Sequence, residues 1–114
     1  MWLRTTYVTR QQSNPLAEKR LKEHEAGWVV LRAGKAIAEL DFVRIDPPFY
    51  LFKCSVVQGH ESELQLLRGS TLRNPDPDIL YRNRASPGLC VKDEYFFINA
   101  QPDMSAAIRD MRPL

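Results

Sequence analysis

The sequence predicts an α+β fold: a mainly antiparallel sheet of about five to six strands with two to three helices, the last a C-terminal amphipathic helix packed on the sheet. Three observations carry this expectation. Apolar and polar residues alternate from Trp28 to Ile45 and again from Phe49 to Val57, with turn residues between the two runs. A capped, highly charged segment stands before them, from Asn14 to Gly27. Near the C-terminus Met104, Ala107, Ile108 and Met111 recur at i, i+3, i+4 and i+7, the spacing of one helical face.

The elements follow in order. "WLRTTYVT" is rich in β-branched and aromatic residues and predicts a strand from about Trp2 to Thr9. In "SNPLAEKRLKEHEAGW", Asn14 suits the cap, Pro15 the first helical turn and Gly27 the exit, while Glu18 and Lys22 form an i,i+4 pair. The apolar stripe of that helix is thin, only Ala17, Leu21 and the ring of His24, so most of it faces solvent.

"WVVLR" and "AIAELDFVRI" around "AGK" read as a hairpin turning at Gly34. Ala36, Ala38, Leu40 and Phe42 are apolar in one phase, Val43 and Ile45 in the other. A slip of one residue near Phe42 predicts a β-bulge. Ile37, Leu40 and Val43 also recur at helical spacing, so a helix over 36–46 is the competing reading.

Pro47 and Pro48 cannot donate to a ladder and separate this strand from the next. In "FYLFKCSVV" one face carries Tyr50, Phe52, Cys54 and Val56, all apolar and expected in the core. The other face carries Lys53 and Ser55, and leaves Phe49 and Leu51 to be explained.

"GHESELQLLRGS" predicts a short helix from about Glu61 to Arg68 with His60, Leu64 and Leu67 on one face. Prolines at 75, 77 and 87 mark a long loop containing a short strand "ILYR". "LCVKDEYFFIN" reads as a hairpin, Leu89 to Lys92 and Tyr95 to Asn99, turning at Asp93 and Glu94, and Pro113 ends the last helix.

A chain of 114 residues with 44% hydrophobic and 26% charged side chains predicts one globular domain over 1–114. No apolar run nears the ~20 residues needed to cross a bilayer, and the first ten residues lack the apolar core of an export signal. A cytoplasmic protein with Cys54 and Cys90 as free thiols is the expectation, without membrane association. A net charge of +2 is too small to imply a polyanionic partner by itself.

No metal or other cofactor is expected. His24, Cys54, His60 and Cys90 lack the close pair with which structural zinc sites grip the metal. No Gly-x-Ser-x-Gly elbow or phosphate-cradling glycine motif occurs, so no catalytic residue is assigned. Glu39 and Asp41 share a strand face about 6.6 Å apart, which any solvated strand with two acids shows.

These exclusions lead to a non-catalytic domain that binds a protein partner or itself, through surplus apolar residues Phe49, Leu51 and Trp28, with Trp2 beside them. The alternative is a nucleic-acid-binding module. From Arg68 to Lys92 five basic residues, Arg68, Arg73, Arg82, Arg84 and Lys92, stand against only Asp76 and Asp78, and Tyr81 offers a ring for base stacking. A third reading is a small hydrolase using His60 with a carboxylate.

Overall fold

A computed structural model describes residues 14–67, 74–101 and 104–113. The expected strand at 2–9, with Trp2, lies outside these residues, as do Arg68 and Arg73. Among the described residues the chain forms one helix, α1 (Pro15–Ala26), then β1 (Trp28–Arg32), β2 (Lys35–Asp46) and β3 (Phe49–Val56). A 3-10 helix over Glu61–Leu67 precedes β4 (Ile79–Asn83) and β5 (Cys90–Lys92). A 3-10 turn over Asp93–Tyr95 then leads into β6 (Phe96–Ala100) and β7 (Ser105–Asp110).

Helix α1 starts where its cap allows. The Asn14 carboxamide oxygen accepts from the Ala17 amide at 3.2 Å, and Pro15 occupies the first turn, where no donor is lost. It stops at Gly27, which holds a φ of +88°. A Cβ there would lie 2.6 Å from the Leu40 carbonyl oxygen, so both the backbone angle and the space demand glycine.

Strands β1 and β2 join through Ala33 and Gly34, both at positive φ, the geometry whose twist matches that of the flanking strands. The expected bulge is present: the β2–β3 register shifts between Phe42 and Arg44. The turn from β2 to β3 is Pro47–Pro48, joined by a cis peptide bond.

The strands form one antiparallel sheet in the order β5-β4-β1-β2-β3-β7-β6. Its two edge strands, β5 and β6, are consecutive in the chain and joined only by Asp93–Tyr95, so the sheet curls into a half-barrel that brings its edges together. Alternation then collects one core on the concave face, including Trp28, Val30, Leu40, Phe52, Cys54, Tyr81, Phe96, Ile98 and Ile108. Leu67, at the end of the 3-10 helix, is buried in the same cluster.

Three expectations are corrected here. Among the described residues the sheet has seven strands with a single α-helix, not five to six strands with two or three helices. The predicted C-terminal helix is strand β7, which pairs with β3 on one side and β6 on the other. Its sequence carries two periods at once. Ala106 and Ile108 alternate with Ser105, Ala107 and Arg109, and the slot between β3 and β6 selects the period of two.

The predicted hairpin from Leu89 to Asn99 is not formed either, since β5 pairs with β4 and β6 with β7. Asp93 is the reason. Its carboxylate is buried, accepting the Tyr81 hydroxyl at 2.6 Å and the Asp76 amide at 2.9 Å, so it anchors the chain's crossing between sheet edges and is not an exposed hairpin tip.

Candidate functional site

Two regions meet at Tyr50, on β3. The first is the far end of the β2–β3 ladder. Strand β1 pairs with β2 only as far as Leu40, so among the described residues the stretch Asp41–Asp46 has a strand partner on one side, β3. Residues 43–48 are all exposed. Val43 is 56% and Ile45 44% accessible, large values for aliphatic side chains within a strand. On β3, Phe49 and Leu51 are half-buried, paired with Asp46 and Arg44.

The bulge explains which way these side chains turn. An extra residue in β2 brings Val43 onto the groove it shares with Leu51, Arg44, Asn99 and Ala107 on the convex side. Ile45, directly across from Tyr50, continues the concave face past the end of the core. This arm of the sheet, in which β7 backs β3 at Tyr50 and Leu51, thus offers an aliphatic side chain on each face beside a β2 edge that has no strand partner among the described residues.

The second region is a buried polar cluster under α1. His24 is completely buried and its ring stacks on that of Tyr50 with centroids 3.9 Å apart. The Trp28 indole N–H donates to His24 Nδ1 at 3.1 Å, so Nδ1 carries no proton, and Nε2–H donates to Asp110 at 2.9 Å. Asp110 also accepts from Arg112, at 2.6 Å from Nη2 and 3.0 Å from Nε. Arg112 reaches Glu23 at 2.9 Å, and its guanidinium lies over the rings of Trp28 and Phe96.

Burial lowers the pKa of His24 from its ordinary value of 6.5, against the pull of Asp110. Burial alone would raise the Asp110 carboxyl, but the hydrogen bonds from His24 and Arg112 outweigh it and hold the group well below the usual carboxylate range. Both imidazole nitrogens are engaged, so His24 has no lone pair for a general base. The cluster fastens α1 to the sheet.

The residues singled out in the sequence separate between these regions. Trp28 is fully buried, because it faces the same side as Leu40, its partner on β2. It belongs to the core and not to an exposed interface. Tyr81 is likewise in the core, with its hydroxyl on Asp93, and presents no ring for a base to stack on. Arg84 is paired with Asp41 and also lies 3.5 Å from Glu39, so the two strand acids serve as its counter-ions. Arg82 is half-buried on β4 and Lys92 exposed on β5.

His60 does meet a carboxylate, with Nδ1 2.5 Å from Glu63, and Arg32 bonds the same carboxylate at 3.2 Å. Cys54 is buried, its thiol pushed up to about 11 by desolvation, and Cys90 is exposed; both are free. No group of three or more metal-binding side chains is gathered among the described residues. No helix among them is long and apolar enough to cross a membrane.

Comparison with family models, with curated proteins and with solved structures finds no significant match for this chain. The functional reading therefore rests on the geometry alone.

The sequence points to Phe49 and Leu51 for the interface, whereas Val43 and Ile45 are the more exposed aliphatics. The phase slip at Phe42 was the available signal: it turns the following aliphatics away from the core strand's pattern, beyond the last residue that β1 covers.

Proposed function

We propose that this chain is a non-catalytic interaction domain that pairs with a second copy of itself through the β2 edge of the arm. The observation that carries the reading is the exposed pair Val43 and Ile45 on a strand that, among the described residues, is open along one side. Such an edge is a template for another strand, and aliphatic residues on it favour pairing over solvation.

The charges around Ile45 favour a second copy as occupant. In a two-fold antiparallel pairing centred on Ile45, each Ile45 meets its symmetry mate, and Arg44 of either copy stands opposite Asp46 of the other. The strand is thus complementary to itself in charge as well as in polarity. The paired acids on Arg84 and the buried Tyr81 weaken the nucleic-acid alternative, since they withdraw two of its proposed contacts. Free thiols at Cys54 and Cys90 suit a reducing compartment such as the cytoplasm.

The strength follows from what is exposed. Covering the open halves of Val43 and Ile45 in two copies contributes about 4 kcal/mol, no more than the lower range of association costs. Backbone pairing and the two Arg44–Asp46 contacts therefore decide the balance, and the dimer is weak, with Kd on the order of 0.1 mM. Sedimentation velocity over a concentration series tests this. The parent should shift toward the dimer mass as concentration rises, and Ile45→Asp should stay monomeric with unchanged far-ultraviolet circular dichroism. A parent that remains monomeric into the millimolar range would end the reading.

A further inference from the structure

The cluster under α1 accepts one protonation state only. His24 Nδ1 receives a hydrogen bond from the Trp28 indole and Nε2 gives one to Asp110, so neutral imidazole is satisfied at both ends. A second proton would have to sit on Nδ1, where it would point at the N–H of Trp28, donor against donor. The charged groups nearby do not rescue that arrangement. Asp110, at the end of β7, favours imidazolium, but its carboxylate already serves Arg112. Arg112 opposes imidazolium, Glu23 on α1 is engaged with Arg112, and Arg20 on α1 lies 3.6 Å from Asp110. Tyr50 of β3 stacks on the ring and is neutral at these pH values.

The attachment of α1 centres on this residue. His24 is the sole buried residue of the helix. Its remaining ties include polar ones, in which Arg20 donates to the Pro113 carbonyl at 2.8 Å, Glu23 pairs with Arg112 and the Glu23 carbonyl accepts from the buried Asn83 at 2.7 Å, and the half-buried side chains of Leu21 and Ala26. The apolar cluster of the sheet meets α1 through the His24 ring, which lies against Trp28, Phe52 and Phe96, while its strands hold one another through their ladders. A segment tied by few buried contacts opens before the sheet that carries it.

We propose that α1 is an acid-released latch: protonation of His24 breaks its bond to Trp28, lifts the helix from the sheet and uncovers the aromatic surface of Trp28 and Tyr50. The uncovered rings adjoin Ile45, which pairs with Tyr50, so release enlarges the apolar face at the base of the arm.

The sign follows from burial. His24 in the closed state has its pKa below the ordinary 6.5, whereas in the released helix it is solvated and returns to that value. Closure is therefore fully favoured above pH 6.5 and weakens as pH falls, with the closed-to-open ratio dropping up to tenfold per pH unit until the closed-state pKa is reached.

Hydrogen-exchange mass spectrometry of the full chain from pH 7.5 to 5.0, corrected for intrinsic exchange rates, reads this directly. The expected result is loss of protection over 15–26 by tenfold or more, with β1, β3 and β7 still protected. Tryptophan fluorescence in a Trp2→Phe background, which leaves Trp28 as the single indole, should report exposure over the same range. His24→Gln, whose amide can still donate to Asp110 but does not titrate, should flatten the response, and His60→Gln should leave it in place. Where His24→Gln does not fold, the nitrogen shifts of the parent's His24 decide. An Nε2-protonated ring titrating below 6.5 in step with α1 release supports the latch. Constant protection of α1 down to pH 5.0, simultaneous loss of protection in the sheet, a response unchanged by His24→Gln, or a His24 pKa at or above 6.5 would each overturn it.

Discussion

The arm and the His24 cluster share strand β3 and a single residue, Tyr50, yet satisfy opposite conditions. In the cluster the buried imidazole, carboxylate and guanidinium groups find partners within the chain, and the aromatic rings close around them. On the arm, aliphatic side chains face outward beside a strand edge that β1 leaves open. The contrast teaches where each kind of information is kept. Stability resides in groups that are already paired, and the capacity to bind resides in groups that are not. Substitutions in the cluster should therefore act first on folding and on the seating of α1, and substitutions on the arm first on association.

The largest effect comes from crossing the sheet by one residue. Phe52 is buried and packs on Phe42, whereas its neighbour Leu51 is half-buried on the convex side. Phe52→Ser should cost about 5 kcal/mol, from lost apolar burial, a cavity and a hydroxyl in the core, and leave little folded protein. Leu51→Ser should cost about 1 kcal/mol, in keeping with partial burial. Urea unfolding of both variants checks the pair. Equal losses would show that both faces of β3 are enclosed within one subunit.

How far the sequence revealed this contrast differs between its parts. Asn14, Pro15 and Gly27 bounded α1, and the phase slip at Phe42 located the bulge, because both signals are local and backbone-driven. Strand β7 was hidden, since Met104, Ala107, Ile108 and Met111 fit a helix as well as Ala106 and Ile108 fit a strand. Only the vacancy between β3 and β6 decides between them.

The cluster was hidden for a related reason. His24 was visible as one member of a thin stripe, but its partners Asp110 and Arg112 stand more than eighty residues away. Nothing local announces such a pairing. Trp28 counts in the sequence among surplus apolar residues, whose patches tend to mark interfaces, and the parity of β1 buries it instead.

A smaller effect separates the cluster from the core around it. Asp110→Ala would strand His24 and Arg112 without their carboxylate, and removing one partner of a buried ionic group costs about 3–5 kcal/mol. The pH dependence supplies an independent check. The depressed pKa of Asp110 adds stability that is present above its ordinary 3.8 and is lost as pH falls below it. The parent should therefore show a further loss of stability below about pH 4 that Asp110→Ala lacks. Thermal melting of both proteins between pH 7 and 3 measures this, and parallel curves would contradict the account of the cluster.

The smallest free energy and the most direct test lie on the arm. If two copies pair antiparallel about Ile45, Arg44 of each meets Asp46 of the other, and the two positions can be exchanged without changing net charge. Sedimentation equilibrium of the parent, of Arg44→Asp and of the double variant Arg44→Asp with Asp46→Arg, at low ionic strength, is the decisive measurement. The account predicts that the single reversal weakens the dimer about tenfold, that the double reversal restores it, and that all three melt at the same temperature within a few degrees. Indistinguishable association of the three proteins, or failure of the double variant to recover, would contradict pairing through the β2 edge.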